Sequence, residues 1–201
     1  MQLEGKVGVQ ALNSGSPGVI RIDGRGNVST QKGGKYTEAT LAGRMFAVAN
    51  QAVVNVTAGL AATYTGLALV NPVGSGKNLI IHEMGAINEI ALPTAACVFG
   101  VMTGGGVGAA TSVIAARNRL SGGPASKAYV DSAVVFTEAP VLEQVFHTFH
   151  TGAVTTAIGS GFYAILDGSL VITPGYHVCP YASAVNNATF QFSILWEEID
   201  V

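Results

Sequence analysis

The sequence predicts an all-β protein, a sandwich or barrel of short strands preceded by an extended N-terminal arm. Three observations carry this. From Met45 onward, apolar runs separated by turn residues recur about every ten positions, the spacing of strands in a sandwich or barrel. No long segment keeps a helical period; the best candidate, Gly43 to Ala52, runs into the β-branched pair Val53-Val54. The first 44 residues hold six of the 10 basic residues but no sustained apolar pattern. The chain therefore divides into an arm, 1–44, and a β domain, 45–201.

In the arm, Lys6, Arg21, Arg25, Lys32, Lys35 and Arg44 stand against Glu4, Asp23 and Glu38, a net charge of +3, which leaves −5 on the domain and −2 on the whole. Gly18-Val-Ile-Arg-Ile-Asp23 can make a short β-like piece, with Gly24 to Gly26 as a turn. It has no core of its own, so the arm is expected to order against something else.

In the domain the expected strands are Phe46–Val56, Tyr64–Val70, Asn78–Ala91, Ala96–Thr103, Ala109–Ala116, Tyr129–Glu138, Leu142–Thr151, Phe162–Ile172, Tyr176–Tyr181 and Ala188–Ile199. Between them lie Asn71-Pro72 with Gly74 and Gly76, Ser121-Gly-Gly-Pro124, Asp167-Gly168 and Pro174-Gly175. Pro followed by Gly fits a type II turn, and Asp-Gly fits a tight hairpin. The last strand alternates most clearly. Phe190, Phe192, Ile194 and Trp196 share one face and are candidates for the core or a subunit junction; Gln191, Ser193, Leu195 and Glu197 share the other.

Composition narrows the function. Of 201 residues 49% are apolar but only 11% are Asp, Glu, Lys or Arg, against about 25% in an average soluble protein. So little charge favours self-association or docking on a larger assembly. A net charge of −2 argues against a nucleic-acid binder. Met45 to Gly76 and Ile90 to Ala116 carry no charge, yet the first is rich in Asn and Thr and the second is broken by Pro93 and Gly104-Gly-Gly106, so no membrane helix is expected. No secretory leader is expected at Met-Gln-Leu-Glu-Gly-Lys. Cys97 and Cys179, in apolar β-like runs, read as free buried thiols.

Enzymatic readings find little support. Val73-Gly-Ser-Gly-Lys77 lacks the upstream Gly and the following Ser or Thr of a phosphate-binding loop, and Leu79-Ile-Ile-His-Glu83 reads as a strand where that loop needs a helix; a Gly-rich hairpin turn with an exposed Lys fits better. His147 and His150 fall on opposite faces of a strand, and His82 and His177 lie elsewhere, so no metal site is expected. There is no Gly-x-Ser-x-Gly elbow. Glu197 and Glu198 face opposite ways and read as solvated or interface charges near the chain end. The expectation is a non-enzymatic protein without a cofactor.

Tyr64-Thr-Gly-Leu-Ala-Leu-Val-Asn-Pro-Val-Gly-Ser-Gly-Lys-Asn-Leu79, Gly34-Lys-Tyr-Thr-Glu38, Pro174-Gly-Tyr-His-Val178 and Leu195-Trp-Glu-Glu-Ile199 resemble segments of tailed-bacteriophage virion proteins, in particular small head decoration, or cement, proteins. The resemblance runs from about residue 34 to 199. It implies a jelly-roll-like sandwich, made in the host cytoplasm, that trimerises on the outer surface of the capsid and clamps the major capsid protein, its N-terminal segment helping attachment. On this reading the attachment candidates are Lys6, Arg21, Arg25, Lys32 and Lys35, with Tyr36 as an aromatic anchor. The alternative is a receptor- or glycan-binding virion module, a head fibre or tail part, using exposed aromatics such as Tyr163, Tyr176 and Tyr181.

Overall fold

A computed structural model describes residues 34–88, 97–106, 108, 112–149, 161–183 and 189–201. Among the described residues a short helix, α1 (Thr37–Leu41), precedes twelve strands: β1 (Met45–Ala49), β2 (Val54–Asn55), β3 (Thr63–Val70), β4 (Lys77–Asn88), β5 (Cys97–Gly105), β6 (Val113–Ile114), β7 (Arg117–Asn118), β8 (Tyr129–Val135), β9 (Val141–Phe149), β10 (Gly161–Ile172), β11 (Tyr176–Ala182) and β12 (Thr189–Asp200). One antiparallel sheet has the order β10-β4-β12-β1-β7, with β2 also on β12; the other has the order β6-β8-β3-β11-β5-β9. Apart from β5, β8 and β9, which follow one another in the second sheet, the long strands alternate between the sheets, and the first, β1, pairs with the last, β12. That winding is the jelly roll, with β8 and β6 added beside β3 in the second sheet.

The core between the sheets is aromatic. Phe99 of β5 meets Phe190 of β12 and Phe162 of β10, at centroid distances of 4.9 and 5.7 Å. Phe46 stacks on Trp196 at 5.8 Å. Phe190, Phe192, Ile194 and Trp196 are all buried in this core, on the inward face the alternation of β12 assigns them. Cys97 and Cys179 are buried thiols with no disulfide between them.

Several local expectations need correction. Phe46–Val56 is not one strand: Asn50 is buried, its amide donates to the Gly66 carbonyl, and its side-chain oxygen accepts from the Phe192 N–H, which closes β1 before β2 begins. Gly43 to Ala52, the best helical candidate, is largely β1; the helix lies earlier, at 37–41. It stops at Gly43, whose φ of +71° is open to glycine at little cost, while the Gly43 and Arg44 N–H groups bond back to Thr40 and Ala39. Of Ala109–Ala116 only Val113–Ile114 is a strand among the described residues. Val73 to Lys77 is a turn but not a hairpin, because β3 and β4 lie in different sheets, and Lys77 is half-buried and paired with Asp200 at 2.5 Å.

Asp167-Gly168 makes no hairpin either. Both residues have positive φ, as the sequence leads one to expect, but the chain continues in the same direction on both sides. Ile165 lies opposite Glu83 and Leu170 opposite Ile81, so residues 166–169 bulge out of β10 across from His82. By contrast Pro174-Gly175 turns as expected, closed by the Tyr176 N–H on the Thr173 carbonyl.

Candidate functional site

The described chain opens with a strap, residues 34–44, that crosses the outer face of the β10-β4-β12-β1 sheet. On the β10 side the Lys35 ammonium pairs with Asp167 in the bulge. Tyr36 sits over β4: its ring lies 4.7 Å from that of His82, and its hydroxyl faces Glu83 at 3.3 Å and Asp167 at 3.4 Å. At the far end Arg44 Nε donates to Glu197 on β12 at 2.8 Å, and the Arg44 carbonyl accepts from the Glu198 N–H.

The bulges build this cluster. In β4, Ile81 pairs with Trp196 and Glu83 with Leu195, so His82 is an extra residue and joins Glu83 on the outward side. The β10 bulge then sets Asp167 beside it. Glu83 also accepts a hydrogen bond from the Tyr163 hydroxyl, so two tyrosines converge on one carboxylate. Burial and the Glu83 carboxylate together raise the Tyr36 pKa. Burial lowers that of His82, opposed by Glu197, whose Oε2 lies 3.7 Å from Nε2, too far for a hydrogen bond. A neutral imidazole packed against an aromatic ring suits a contact that holds the strap down.

Beyond Tyr163 the same outer face continues as a shallow groove of about 430 Å³, floored by Gly85, Ala49 and Ser193 and rimmed by Tyr163, Ile87 and Gln191. Small side chains on three adjacent strands leave this space.

Lys35 and Tyr36, expected to reach a partner, are bound to the chain's own sandwich. Lys6, Arg21, Arg25 and Lys32 lie outside the described residues, as does His150. Of the alternative aromatics, Tyr163 and Tyr176 are exposed and Tyr181 is half-buried. His82, His147 and His177 are apart, and no group of three or more His, Cys, Asp and Glu that could hold a metal ion occurs among the described residues. No described helix is long and apolar enough to cross a membrane.

Two buried groups escaped sequence reasoning. Glu198 is only 4% exposed, not solvated: it accepts from the Ser126 hydroxyl at 2.6 Å, the Lys127 N–H at 3.1 Å, and, at 3.4 Å, the Ala128 N–H and the Trp196 indole. Glu197 is half-buried and paired. The second group is His177, fully buried, its ring flat on Phe136 at 3.6 Å with both nitrogens unpartnered. Burial lowers its pKa to about 4. The sequence does signal Glu198, two residues after Trp196 and therefore on the inward face.

No protein-family model matches the chain, and no curated protein or solved structure matches it either.

Proposed function

We propose that this protein is a non-enzymatic capsid decoration, or cement, protein of a tailed phage, a homotrimer that sits on the outer surface of the head and clamps neighbouring copies of the major capsid protein. The observation that carries the reading is the strap. Lys35, Tyr36 and Arg44 fix residues 34–44 to a rigid jelly roll, so the 33 residues before them are tethered at one defined point. Those residues carry Lys6, Arg21, Arg25 and Lys32 against Glu4 and Asp23. The sandwich supplies rigidity; the basic arm supplies contact with a capsid surface of opposite charge.

The work is mechanical. A shell under internal pressure fails at its subunit junctions, and a body that bridges them adds buried area which must be lost before they part. Three arms on one trimer act through effective concentration, which can raise affinity about 10²- to 10⁴-fold over a single arm. The test is binding of the full-length protein to undecorated capsids. Reversing Lys6, Arg21, Arg25 and Lys32 to Glu should abolish binding while the fold survives, and added salt should weaken the unaltered protein in the same direction. Unchanged binding by the reversed chain would overturn the reading. A receptor- or glycan-binding role is the second reading, favoured by Tyr163, which is 58% exposed beside the groove. Immunogold label over virion heads supports cement, and label at tail tips supports adhesion.

A further inference from the structure

The strap is held thinly. Of the five residues of α1 only Ala39 is buried, and Leu41 is 55% exposed. A helix this short does not persist alone in water, so its bonds, from the Thr40 N–H to the Tyr36 carbonyl and from the Ala42 N–H to the Glu38 carbonyl, last only while the strap is docked. The docking contacts are polar: Lys35 and Asp167 are each half exposed, and the Tyr36 hydroxyl stands 3.3 and 3.4 Å from Glu83 and Asp167, long for such bonds. A segment fastened this way opens at far less cost than the sandwich unfolds.

Beneath the strap lies a group whose charge state depends on that opening. His82 points outward from β4 yet is only 8% exposed, because Tyr36 lies over its ring and the β10 bulge closes on it at Gly168, where a Cβ would stand 3.9 Å from His82 Cε1. Both ring nitrogens are buried without a hydrogen-bond partner. Neutral, the ring leaves one N–H unpaired; protonated, it would leave two and a charge. The charged and titratable groups around it are Lys35, Tyr36 and Arg44 of the strap, Glu83 of β4, Glu197 of β12, and Asp167 and Tyr163 of β10. The three carboxylates are already engaged, Asp167 by Lys35, Glu197 by Arg44, and Glu83 by the Tyr36 and Tyr163 hydroxyls. Burial lowers the His82 pKa and Lys35 acts in the same direction, outweighing the pull of Glu197 and Glu83.

We infer that residues 34–44 are a proton-gated strap: uptake of a proton from water by His82 releases Lys35 and Tyr36 from the sandwich. With the strap down, an imidazolium is sealed under Tyr36 with no acceptor in hydrogen-bond range, its nearest carboxylate oxygen, of Glu197, being 3.7 Å away. With the strap up, water solvates it. The released ring titrates near the ordinary 6.5 and the covered ring lower, so between those values protons favour release, raising the ratio of released to docked by at most about tenfold per pH unit. Release has a defined end point. The Asn118 amide holds the Gly43 carbonyl and the Glu198 N–H holds the Arg44 carbonyl, so the tether moves from Lys35 to residues 43–44. About nine more residues then become free, adding roughly 30 Å of reach, and the Lys35 ammonium and Tyr36 ring are offered to a partner. This goes beyond the capsid reading and holds whatever the N-terminal segment binds.

The test is amide hydrogen exchange on the full-length protein, read as protection factors at pH 7.5 and 5.5, above the ordinary carboxylate range. Protection at Thr40 and Ala42 should fall about two- to tenfold at the lower pH, while that at Ile194 and Trp196 in the core falls less. His82→Gln, which has no proton to gain, should protect the strap equally at both values. A second measurement follows the His82 ring resonances: their midpoint should lie below 6.5 in the wild type and rise towards 6.5 in Tyr36→Ala, which removes the cover. Strap protection that ignores pH, or that rises in acid because the imidazolium closes on Glu197, overturns the gate. So does the same pH dependence in His82→Gln, or an equal loss in the core, which would mean global opening. Should His82→Gln fail to fold, an unmoved midpoint in Tyr36→Ala overturns it. No capsid enters these measurements, so failure of the cement reading leaves the gate standing, and failure of the gate leaves the cement reading to its own test.

Discussion

The inner and outer faces of the β10-β4-β12-β1 sheet are made by alternate residues of the same strands, yet different forces hold what lies on them. Inward, Trp196, Phe46, Phe190 and Phe192 pack in the core, and among the described residues the one carboxylate there, Glu198, accepts from a hydroxyl and N–H donors. Outward, the strap is held by ion pairs and tyrosine hydroxyls close to water. The inner face decides whether the chain folds. The outer face decides how the N-terminal segment is presented, through contacts that salt screens and local motion can release.

Substitutions along β12 test this division. Trp196→Ala should have the largest effect, a loss of about 3 to 5 kcal/mol through lost burial and an unfilled cavity, read by chemical denaturation. If the loss were below about 1 kcal/mol, the indole would not be central to the core.

Acid reaches the core of the second sheet through His177. Its folded pKa of about 4 lies below the unfolded value of 6.5, so between those values the unfolded chain binds the proton more readily. Its contribution is complete above about pH 6.5 and lost as pH falls towards 4, about 3 kcal/mol in all. The histidine His82, also lowered, adds to the same slope. His177→Phe should flatten the stability curve over this window relative to wild type; parallel curves would mean that His177 is not the titrating group.

Glu198 and Glu197 give the sharpest contrast, because they are chemically identical neighbours. Glu198→Ala leaves buried donors at Ser126, Lys127 and Ala128 without an acceptor and should cost about 2 to 3 kcal/mol, independent of salt. Glu197→Gln loses one half-exposed ion pair with Arg44, about 1 kcal/mol or less, and that loss should shrink as salt rises. Equal losses with equal salt dependence would show that the two faces do not differ as described.

What could be read from the sequence follows the same division. The inward face of β12 was legible because a period of two with four large apolar residues has one physical solution. Turn residues marked the end of β3 at Asn71-Pro72 and the end of β10 at Pro174-Gly175. Asp167-Gly168 revealed its backbone conformation but not its setting, because positive φ serves a bulge as well as a hairpin and only the pairing partner distinguishes them. Nothing in the local pattern marks Asn50 or Asn71 for burial. Both are buried, tying backbone groups that lie far apart in sequence. The strap was illegible for the same reason: Tyr36 meets Glu83 and Asp167, and Arg44 meets Glu197, across separations that local pattern cannot see.

The pairing of β1 with β12 also constrains the order of events during synthesis. Met45 lies opposite Glu197, so the first strand of the sandwich cannot find its place until more than 150 residues have been added after it. Until then Phe46 and Val48 lack their β12 partners Trp196 and Ile194, and the β4 edge that β12 will occupy stays open. Such a topology closes slowly, on a timescale of about milliseconds to seconds, and its half-made forms are at risk of sticking to one another. The nascent chain therefore carries unpaired apolar residues and an open strand edge until β12 has emerged, and crowded synthesis is when it is most exposed to misassembly.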